Sequence, residues 1–185
     1  MSQYSVVLCV TDGVEDIEAV TSIDILTRSK INVITISTNN QHKIKCAYGT
    51  NLYIDILLKN YQVQNNHIAI ILPGGLQAAE HFATNHMLLS YIKLFKKTQR
   101  IIGAICATPA IFLATHNIFT TAKMTSYVGL KNLVPDIQWL DKPVVWDEQN
   151  KLLTAQSVKH AINFNLKLVS IILNNNIASN IQSVL

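Results

Sequence analysis

The sequence has little charge, few cysteines and no apolar run long enough to span a membrane. Only 14% of its 185 residues are charged and 49% are hydrophobic, whereas charged residues make up about 25% of a typical domain. This balance excludes a disordered chain and indicates a globular protein with a large interior. The longest uncharged apolar stretch, residues 101–114, is interrupted by Pro109 and is shorter than the ~20 residues of a membrane helix. We therefore expect no membrane partner.

The three cysteines form neither a disulfide framework nor a metal site. Cys9, Cys46 and Cys106 are odd in number and lack the spacing of metal ligands, which is typical of a protein from a reducing compartment. A domain of this length buries roughly 70% of its unfolded surface and needs neither disulfides nor a structural metal. Residues 1–10 lack the basic region and the apolar length of a secretory signal peptide. We expect a cytoplasmic protein that forms one domain, residues 1–185.

Positive charge exceeds negative charge only slightly. The 15 Lys and Arg residues and the 11 Asp and Glu residues give a net charge of +4. The main basic cluster comprises Lys93, Lys96, Lys97 and Arg100. These residues fall within about two turns of a predicted helix, which is typical of a solvated helix end. We expect no specific nucleic-acid site.

Short β-branched runs alternate with helical patterns along the chain. Near-continuous apolar runs of this kind are typical of parallel strands that are buried on both faces. The predicted strands are residues 4–10, 31–37, 67–72, 101–105, 144–146 and 151–155, and a smaller paired ribbon comprises residues 43–47 and 51–56. The predicted helices are residues 15–29, 87–97 and 107–115, and a final helix at 161–173. This alternation predicts an α/β three-layer sandwich, whose ligands bind at the carboxyl edge of the strands.

Cys106 is the strongest candidate for a chemical role. It lies between a predicted apolar strand and a predicted helix, which is the geometry of a nucleophile elbow. The positive end of the helix dipole at this position is expected to lower the pKa of the thiol below its free value of about 8.5. The alternative is a buried cysteine that packs as a small hydrophobic side chain, which is the common case.

Two other segments reach the same edge of the predicted sheet. The Pro-Gly-Gly turn at residues 73–75 follows a strand, and the N–H groups of Gly74 and Gly75 can hold an oxyanion. Residues 12–18 follow the first strand. A buried Glu18 would share one proton with a thiolate. If Glu18 keeps that proton, its neutral carboxyl donates a hydrogen bond to the thiolate and favours it. For Glu15 and Asp16, a role in the site and the ordinary preference for acidic residues in a first helical turn are equally good explanations.

Three motifs occur in a recognisable order and spacing. They are Glu-Asp-Ile-Glu-Ala-Val at residues 15–20, Leu-Pro-Gly-Gly at 72–75 and Ala-Ile-Cys-Ala-Thr-Pro-Ala at 104–110. Together they resemble the ThiJ/PfpI superfamily, specifically its YajL-like branch, which is related to the Parkinsonism-associated deglycase. Similar segments at residues 138–142, 144–147 and 151–154 extend the resemblance from about residue 5 to residue 173.

The resemblance implies a fold and a set of site residues. The fold is a flavodoxin-like sandwich with a mainly parallel sheet, of the class I glutamine amidotransferase type. The resemblance implies that Cys106 is the reactive thiol and that Glu18 is its protonated partner. The oxyanion-binding N–H groups would then come from Gly75 and Ala107.

The resemblance also implies a function and an assembly. Family members are described as glyoxalases, as deglycases of proteins and nucleotides modified by methylglyoxal, and as redox-regulated chaperones. The first expectation is cysteine-dependent action on methylglyoxal or glycated adducts in a stress response, without a metal or an organic cofactor. The alternatives are a non-catalytic redox sensor or chaperone that acts through oxidation of Cys106, and a PfpI-type protease or amidase. The expected assembly is a homodimer, with Asp24 and Arg28 on the interface helix.

Two departures from the family pattern affect the site. Twenty residues after Cys106, where some relatives place a histidine, the chain has Ser126. Without a Cys-His pair, acid and base chemistry would fall to Glu18 alone, which makes the protease or amidase the weakest alternative. Residues 156–160 replace a Gly-Pro-Gly-Thr turn of relatives, and this change can bring Lys159 or His160 near Cys106. The other histidines are expected to be surface or packing residues.

Overall fold

The computed structural model describes residues 4–185. Residues 1–3, which belong to the N-terminal segment 1–10 and to the expected domain 1–185, lie outside the described residues. The strands are β1 (Ser5–Val10), β2 (Asn32–Ser37), β3 (Lys43–Lys45), β4 (Asn51–Tyr53), β5 (Ile56–Leu57), β6 (His67–Leu72), β7 (Ile101–Ile105), β8 (Val144–Asp147) and β9 (Leu152–Ala155). The main sheet has the order β5-β2-β1-β6-β7-β9-β8. All of its neighbouring strands are parallel except β8 and β9, which are antiparallel.

Helices cover both faces of this sheet. They are α1 (Asp16–Arg28), α2 (Leu76–Thr84), α3 (His86–Lys97), a π-helix (Pro109–Ala114), α4 (Ala161–Ile172) and α5 (Asn175–Gln182). Short 3-10 helices occur at Leu58–Asn60, Val128–Leu133 and Val158–His160. Helices α1, α4 and α5 pack together on one side, and α2 packs with α3 and the π-helix on the other. The predicted three-layer sandwich with a mainly parallel sheet is therefore confirmed.

The central strands form where the sequence is most continuously apolar. Every residue of β1 and of β7 is buried, as are the last four residues of β6. Strands that are covered by helices on both faces need apolar side chains on both, so an uninterrupted run replaces the alternating pattern of a half-exposed strand. The consequence is that three neighbouring parallel strands end at the same edge of the sheet.

The sequence predicts residues 51–56 as one strand of the ribbon, but the structure divides them. β4 pairs with β3 in an antiparallel ribbon, as predicted, whereas Ile56 lies in β5 and pairs with β2 of the main sheet. Asp55 causes the division. Its Oδ2 accepts hydrogen bonds from the backbone N–H and the hydroxyl of Thr35 on β2, at 2.9 and 2.7 Å. These bonds hold the following residues against the main sheet.

Two of the predicted helices differ from the structure. The segment predicted as a helix at 107–115 contains a π-helix that begins at Pro109, a residue that lacks a backbone N–H. The helix predicted at 161–173 is α4, but the prediction that it is the final helix is wrong, because α5 follows it. The side chain of Asn174 caps α5 by accepting the N–H of Ile177 at 3.0 Å. Residues 174–176 are three consecutive asparagines, and the first of them thus caps the start of a helix.

Within residues 4–185, no helix has the length and apolar character needed to cross a membrane. Over the same residues, no group of three or more His, Cys, Asp or Glu side chains is arranged to hold a metal ion.

Candidate active site

Three loops meet at the carboxyl edge of the sheet, because β1, β6 and β7 are neighbouring parallel strands. They carry residues 11–15, residues 73–75 and Cys106. Two hydrogen bonds hold the loops together. The N–H of Glu15 donates to the carbonyl oxygen of Gly74 at 3.0 Å. The hydroxyl of Thr108 donates to the carbonyl oxygen of Pro73 at 2.7 Å. The structure thus brings together the segments that the sequence singled out.

Cys106 has the backbone conformation of an elbow. Its φ is 62°, in the left-handed region that non-glycine residues seldom adopt. Its N–H donates to the carbonyl oxygen of Ala155 on β9 at 2.9 Å, which continues the ladder of the sheet. The side chain is half-buried, whereas Cys9 and Cys46 are buried. A strained non-glycine residue at the end of a central strand is typical of a functional position.

Two glycines allow the chain to approach the cysteine closely. A Cβ atom on Gly74 would lie 2.5 Å from Cβ of Cys106 and 2.8 Å from Oε2 of Glu18, so no larger residue fits between them. Gly75 has φ of 93°, and a Cβ there would lie 2.2 Å from the carbonyl oxygen of Gly13. The glycines therefore place the carboxyl of Glu18 and the thiol of Cys106 on either side of one backbone segment.

Glu18 is the buried carboxyl of the site. Its Oε2 accepts the N–H of Gly74 at 2.6 Å, while Oε1 has no hydrogen-bond partner of good geometry among residues 4–185. Burial raises the pKa of Glu18 to about 7, the negative charge of Glu15 adds to the rise, and the Gly74 N–H and the Cys106 thiol oppose it. Glu18 is thus a carboxyl that exchanges its proton near neutral pH.

The expectation of a lowered thiol pKa was wrong. Burial, followed by the negative charge of Glu18, raises the pKa of Cys106 to about 12. The backbone N–H groups of Gly75 and Ala107 act on the thiol pKa in the opposite direction, but they do not outweigh burial and the neighbouring carboxylate. The helix dipole considered alone therefore predicts the wrong direction for the shift in the pKa of the Cys106 thiol.

Glu18 and Cys106 titrate as a coupled pair. Between about pH 7 and pH 12 the pair holds one proton and one negative charge. The N–H of Gly74 stabilises that charge on the carboxyl, whereas the N–H groups of Gly75 and Ala107 stabilise it on the sulfur. The arrangement can therefore pass a proton from the sulfur to the carboxyl when the sulfur attacks an electrophile.

Glu15, an accessory candidate, has a clear structural role. It is the N-cap of α1, where its Oε2 accepts the N–H of Glu18 at 3.0 Å. The next residue, Asp16, accepts the N–H groups of Tyr48 and Thr50 at 2.8 and 3.0 Å and so fastens the ribbon to the start of α1. Both acidic residues thus support the site from the first turn of the helix.

Ser126 and His160, the other accessory candidates, occupy different surroundings. Ser126 is fully buried, and its hydroxyl donates to the carbonyl oxygen of Cys106 at 2.7 Å. His160 is the N-cap of α4, and its Nε2 is buried without a hydrogen-bond partner in the part of the chain that the structure describes. Burial and then the positive charge of Lys159 lower the pKa of His160. Of the two, only Ser126 bonds to Cys106.

Three further residues support the site, and sequence analysis missed them. Thr108 holds the turn at Pro73, as described above. The hydroxyl of Ser22 donates to the carbonyl oxygen of Glu18 at 2.7 Å and accepts Nδ2 of Asn165 at 3.1 Å. Asn165 lies on α4, so this buried chain of hydrogen bonds sets the position of α1. The position of Thr108, two residues after the elbow, is a weak sequence signal that its hydroxyl supports the site. The sequence contains no signal that would assign such a role to Asn165.

The predicted interface residues lie on the surface of α1. Nε of Arg28 and Oδ2 of Asp24 form an ion pair at 2.8 Å, and the two side chains are 47% and 46% exposed. They lie one helical turn apart on the same face.

The chain is similar to proteins of one family over most of its length. The sequence model of the DJ-1/PfpI family matches residues 4–171. The chain is 31% identical to protein DJ-1 homolog B of Arabidopsis thaliana over 160 residues, which cover 86% of this chain and 36% of that protein. It is 28% identical to the glutathione-independent glyoxalase DJR-1.2 of Caenorhabditis elegans over 167 residues, which cover 89% and 86%. The chain spans less than half the length of the Arabidopsis relatives that it matches.

Solved structures have the same fold. The crystal structure of the VC2308 protein superimposes with a TM-score of 0.95 at 26% identity, covering 99% of this chain and 92% of that chain. Toxoplasma gondii DJ-1 in its oxidised form superimposes with a TM-score of 0.91 at 28% identity, covering 97% and 96%. The flavodoxin-like fold that the sequence resemblance implies is therefore confirmed.

Proposed function

Because the chain belongs to the DJ-1/PfpI family, we propose that it is a cysteine-dependent enzyme of the glyoxalase or deglycase type that acts as a single domain. Its substrates are methylglyoxal and the adducts that methylglyoxal forms with amines. The observation that carries the proposal is the coupled pair of Cys106 and Glu18, flanked by the N–H groups of Gly75 and Ala107. A relative that is 28% identical is named a glutathione-independent glyoxalase.

The first step is addition of Cys106 to the aldehyde. The S–C bond forms as the C=O π bond breaks, and the thiol proton passes to the carboxylate of Glu18 and then to the new alkoxide. A hemithioacetal results. A carboxyl with a pKa of about 7 both accepts and returns a proton efficiently at neutral pH. The N–H groups of Gly75 and Ala107, which lie against the sulfur, stabilise negative charge where it develops.

The second step moves a hydrogen between the two carbons. The carboxylate of Glu18 removes the proton from the former aldehyde carbon, and an enediol forms with the neighbouring carbonyl. Return of the proton to the second carbon gives a thioester of lactate. Water then adds to the thioester, the C–S bond breaks and the thiol of Cys106 regains its proton. The sum is methylglyoxal plus water to lactate, which needs no oxidant or reductant.

The same pair can act on a glycated amine. The sulfur of Cys106 displaces the amine from the adduct carbon, so that a C–S bond forms as the C–N bond breaks. Glu18 takes the thiol proton and gives it to the leaving amine. The resulting hemithioacetal continues as above.

A homodimer is part of the proposal. Ile17 and Val20 on α1 are 56% and 43% exposed. Together with Asp24 and Arg28 they recur at three- and four-residue steps, so all four share one face of the helix. An exposed apolar surface beside a local ion pair suits contact with a second copy of the chain.

A non-catalytic redox sensor is the second candidate, and the exposure of Cys106 favours it. The other two cysteines are buried. Peroxide would convert the thiolate to a sulfenate with release of water, and a second peroxide would give a sulfinate. The new oxygens can accept the N–H groups of Gly75 and Ala107 and the proton of a neutral Glu18. One matching structure, Toxoplasma gondii DJ-1, is described as oxidised.

Lactate formation from methylglyoxal separates the two candidates. We expect the rate to fall at least ~100-fold in Cys106→Ala and in Glu18→Gln, and to be unchanged in Cys9→Ala, which alters a buried cysteine on β1. A wild-type protein that forms no lactate but is oxidised at Cys106 by one or two equivalents of peroxide would instead be a redox sensor. Lactate formation that survives in Cys106→Ala would contradict the proposed mechanism.

A further inference from the structure

Ser126 inserts its hydroxyl into the first turn of the helix that follows Cys106. The hydroxyl donates to the carbonyl oxygen of Cys106 at 2.7 Å and accepts the N–H of Ala110 at 3.1 Å. In an α-helix these two backbone groups, four residues apart, bond to each other directly. The hydroxyl therefore takes the place of a helical hydrogen bond and stands between the two groups.

This insertion bears on the conformation of the cysteine. The carbonyl oxygen of Cys106 also accepts the N–H of Tyr127 at 2.7 Å, so two neighbouring residues of one segment hold it. The first direct helical bond comes one residue later, from the N–H of Ile111 to the carbonyl oxygen of Ala107 at 3.0 Å. A direct bond between Cys106 and Ala110 would turn the carbonyl towards the helix and draw Cys106 out of its left-handed conformation.

We infer that Ser126 is a positioning residue that keeps the sulfur of Cys106 against the N–H groups of Gly75 and Ala107. It acts through the backbone of Cys106. Because Ser126 is fully buried, it does not reach a substrate. The inference rests on the proposed role of Cys106 as the reactive thiol, but it is independent of the substrate that the thiol attacks.

Alkylation by iodoacetamide tests the inference, because it forms an S–C bond at the sulfur with release of iodide and a proton. The rate at each cysteine is read by peptide mass spectrometry. We expect alkylation of Cys106 to be about tenfold slower in Ser126→Ala, the change that one lost hydrogen bond corresponds to. Ser126→Thr keeps the hydroxyl and should stay within about threefold of the wild-type rate.

A matched control separates positioning from a general loss of stability. Ser29 is also a buried serine whose hydroxyl donates to a backbone carbonyl oxygen, that of Ile25 at 2.8 Å, but it lies at the far end of α1. Ser29→Ala should leave the rate at Cys106 unchanged. General loosening would raise labelling of the buried Cys9 and Cys46, whereas a positioning effect lowers labelling of Cys106 alone.

The possible outcomes are distinct. If Ser126→Ala does not fold, Ser126→Cys replaces it, because its sulfur is a weaker donor of similar size. Alkylation of Cys106 in Ser126→Cys should then be slower than in the wild type, but by less than tenfold. Equal rates in wild type and Ser126→Ala, or a Ser126→Thr protein as slow as Ser126→Ala, would overturn the inference. An inert Cys106 in the wild-type protein would overturn the proposed function, and this inference with it.

Discussion

Oε2 of Glu18 accepts the N–H of Gly74 at 2.6 Å, and this bond ties the buried carboxyl to the turn that lies against Cys106. The bond stabilises the ionised carboxyl and so partly offsets the burial that raises its pKa to about 7. Cys106 is affected in turn, because an ionised Glu18 opposes loss of the thiol proton. The chemistry of the site therefore depends on where the pair keeps its single proton.

Glu18→Gln should change how stability depends on pH. Burial raises the pKa of Glu18 from 4.5 to about 7 in the folded protein. The folded state binds this proton more tightly than the unfolded state, so the cost of ionising Glu18 grows as pH rises through this window. Glutamine does not titrate. Between pH 4.5 and about pH 8, the difference in free energy of unfolding should therefore shift in favour of Glu18→Gln by about 2–4 kcal/mol. Urea unfolding at each pH measures it, and a constant difference would contradict the account.

Gly74→Ala should remove the reactivity of Cys106. The added methyl group would overlap Cβ of Cys106 and Oε2 of Glu18, and we expect it to cost about 1–3 kcal/mol of stability. Gly49→Ala is the control. Gly49 has φ of 105°, and apart from its two chain neighbours no residue has an atom within 4 Å of an added Cβ, so the control carries backbone strain without crowding. Urea unfolding and alkylation of Cys106 measure the effects. A wild-type alkylation rate in Gly74→Ala would show that the close approach at Gly74 is not needed.

Val20→Lys should weaken the proposed homodimer. It places a charge beside Ile17 on the exposed face of α1, and we expect the dissociation constant to rise at least ~tenfold in sedimentation velocity experiments. The control is Ile137→Lys, which alters an apolar side chain that is 75% exposed in a different part of the chain. A wild-type monomer, or the same behaviour in both variants, would argue against α1 as the interface.

Acid should destabilise the fold through His67. The ring is buried and stacks on Tyr61, and its Nδ1 accepts the N–H of Gln64 at 3.2 Å. Burial, and then the positive charge of Arg100, lower the pKa of His67 below 6.5. The unfolded chain therefore binds this proton at higher pH. The stability contributed by neutral His67 is present above about pH 6.5 and is lost as pH falls below it.

Thermal unfolding across this pH range measures the effect of His67. His67→Gln should reduce the loss of Tm in acid, whereas His86→Gln, at an exposed histidine of α3, should keep it. An unchanged acid sensitivity in His67→Gln would assign the effect to other groups.

The sequence predicted the frame of the site because local patterns specify it. The apolar runs of β1, β6 and β7 and the turn at residues 73–75 are contiguous features, and parallel strands bring their ends to one edge. Cys106 was found in the same way, since it lies where a strand pattern meets a helix pattern. A local residue also specifies the start of α5, because Asn174 caps this helix. Asn174 is the first of three consecutive asparagines, however, and the sequence does not distinguish it from the other two as a cap.

The contacts within the site depend on packing between distant residues and could not be predicted. The hydroxyl of Thr108 and the carbonyl of Pro73 are 35 residues apart in the chain, and Asn165 and Ser22 are 143 apart. The raised pKa of Cys106 likewise arises from contacts between residues that are distant in the chain. The helix dipole is a local feature that the sequence reveals, whereas burial and the charge of Glu18 arise only when the loops meet.

The pH dependence of Cys106 alkylation, in wild type and in Glu18→Gln, tests the central claim most directly. If Glu18 accepts the thiol proton, the wild-type rate should rise as Glu18 ionises and level off above its pKa of about 7. In Glu18→Gln this inflection should disappear, and the rate should continue to rise with pH because a buried thiol without a base must ionise alone. A Cys106 that titrates near the ordinary thiol value of about 8.5 in both proteins would contradict the coupled pair.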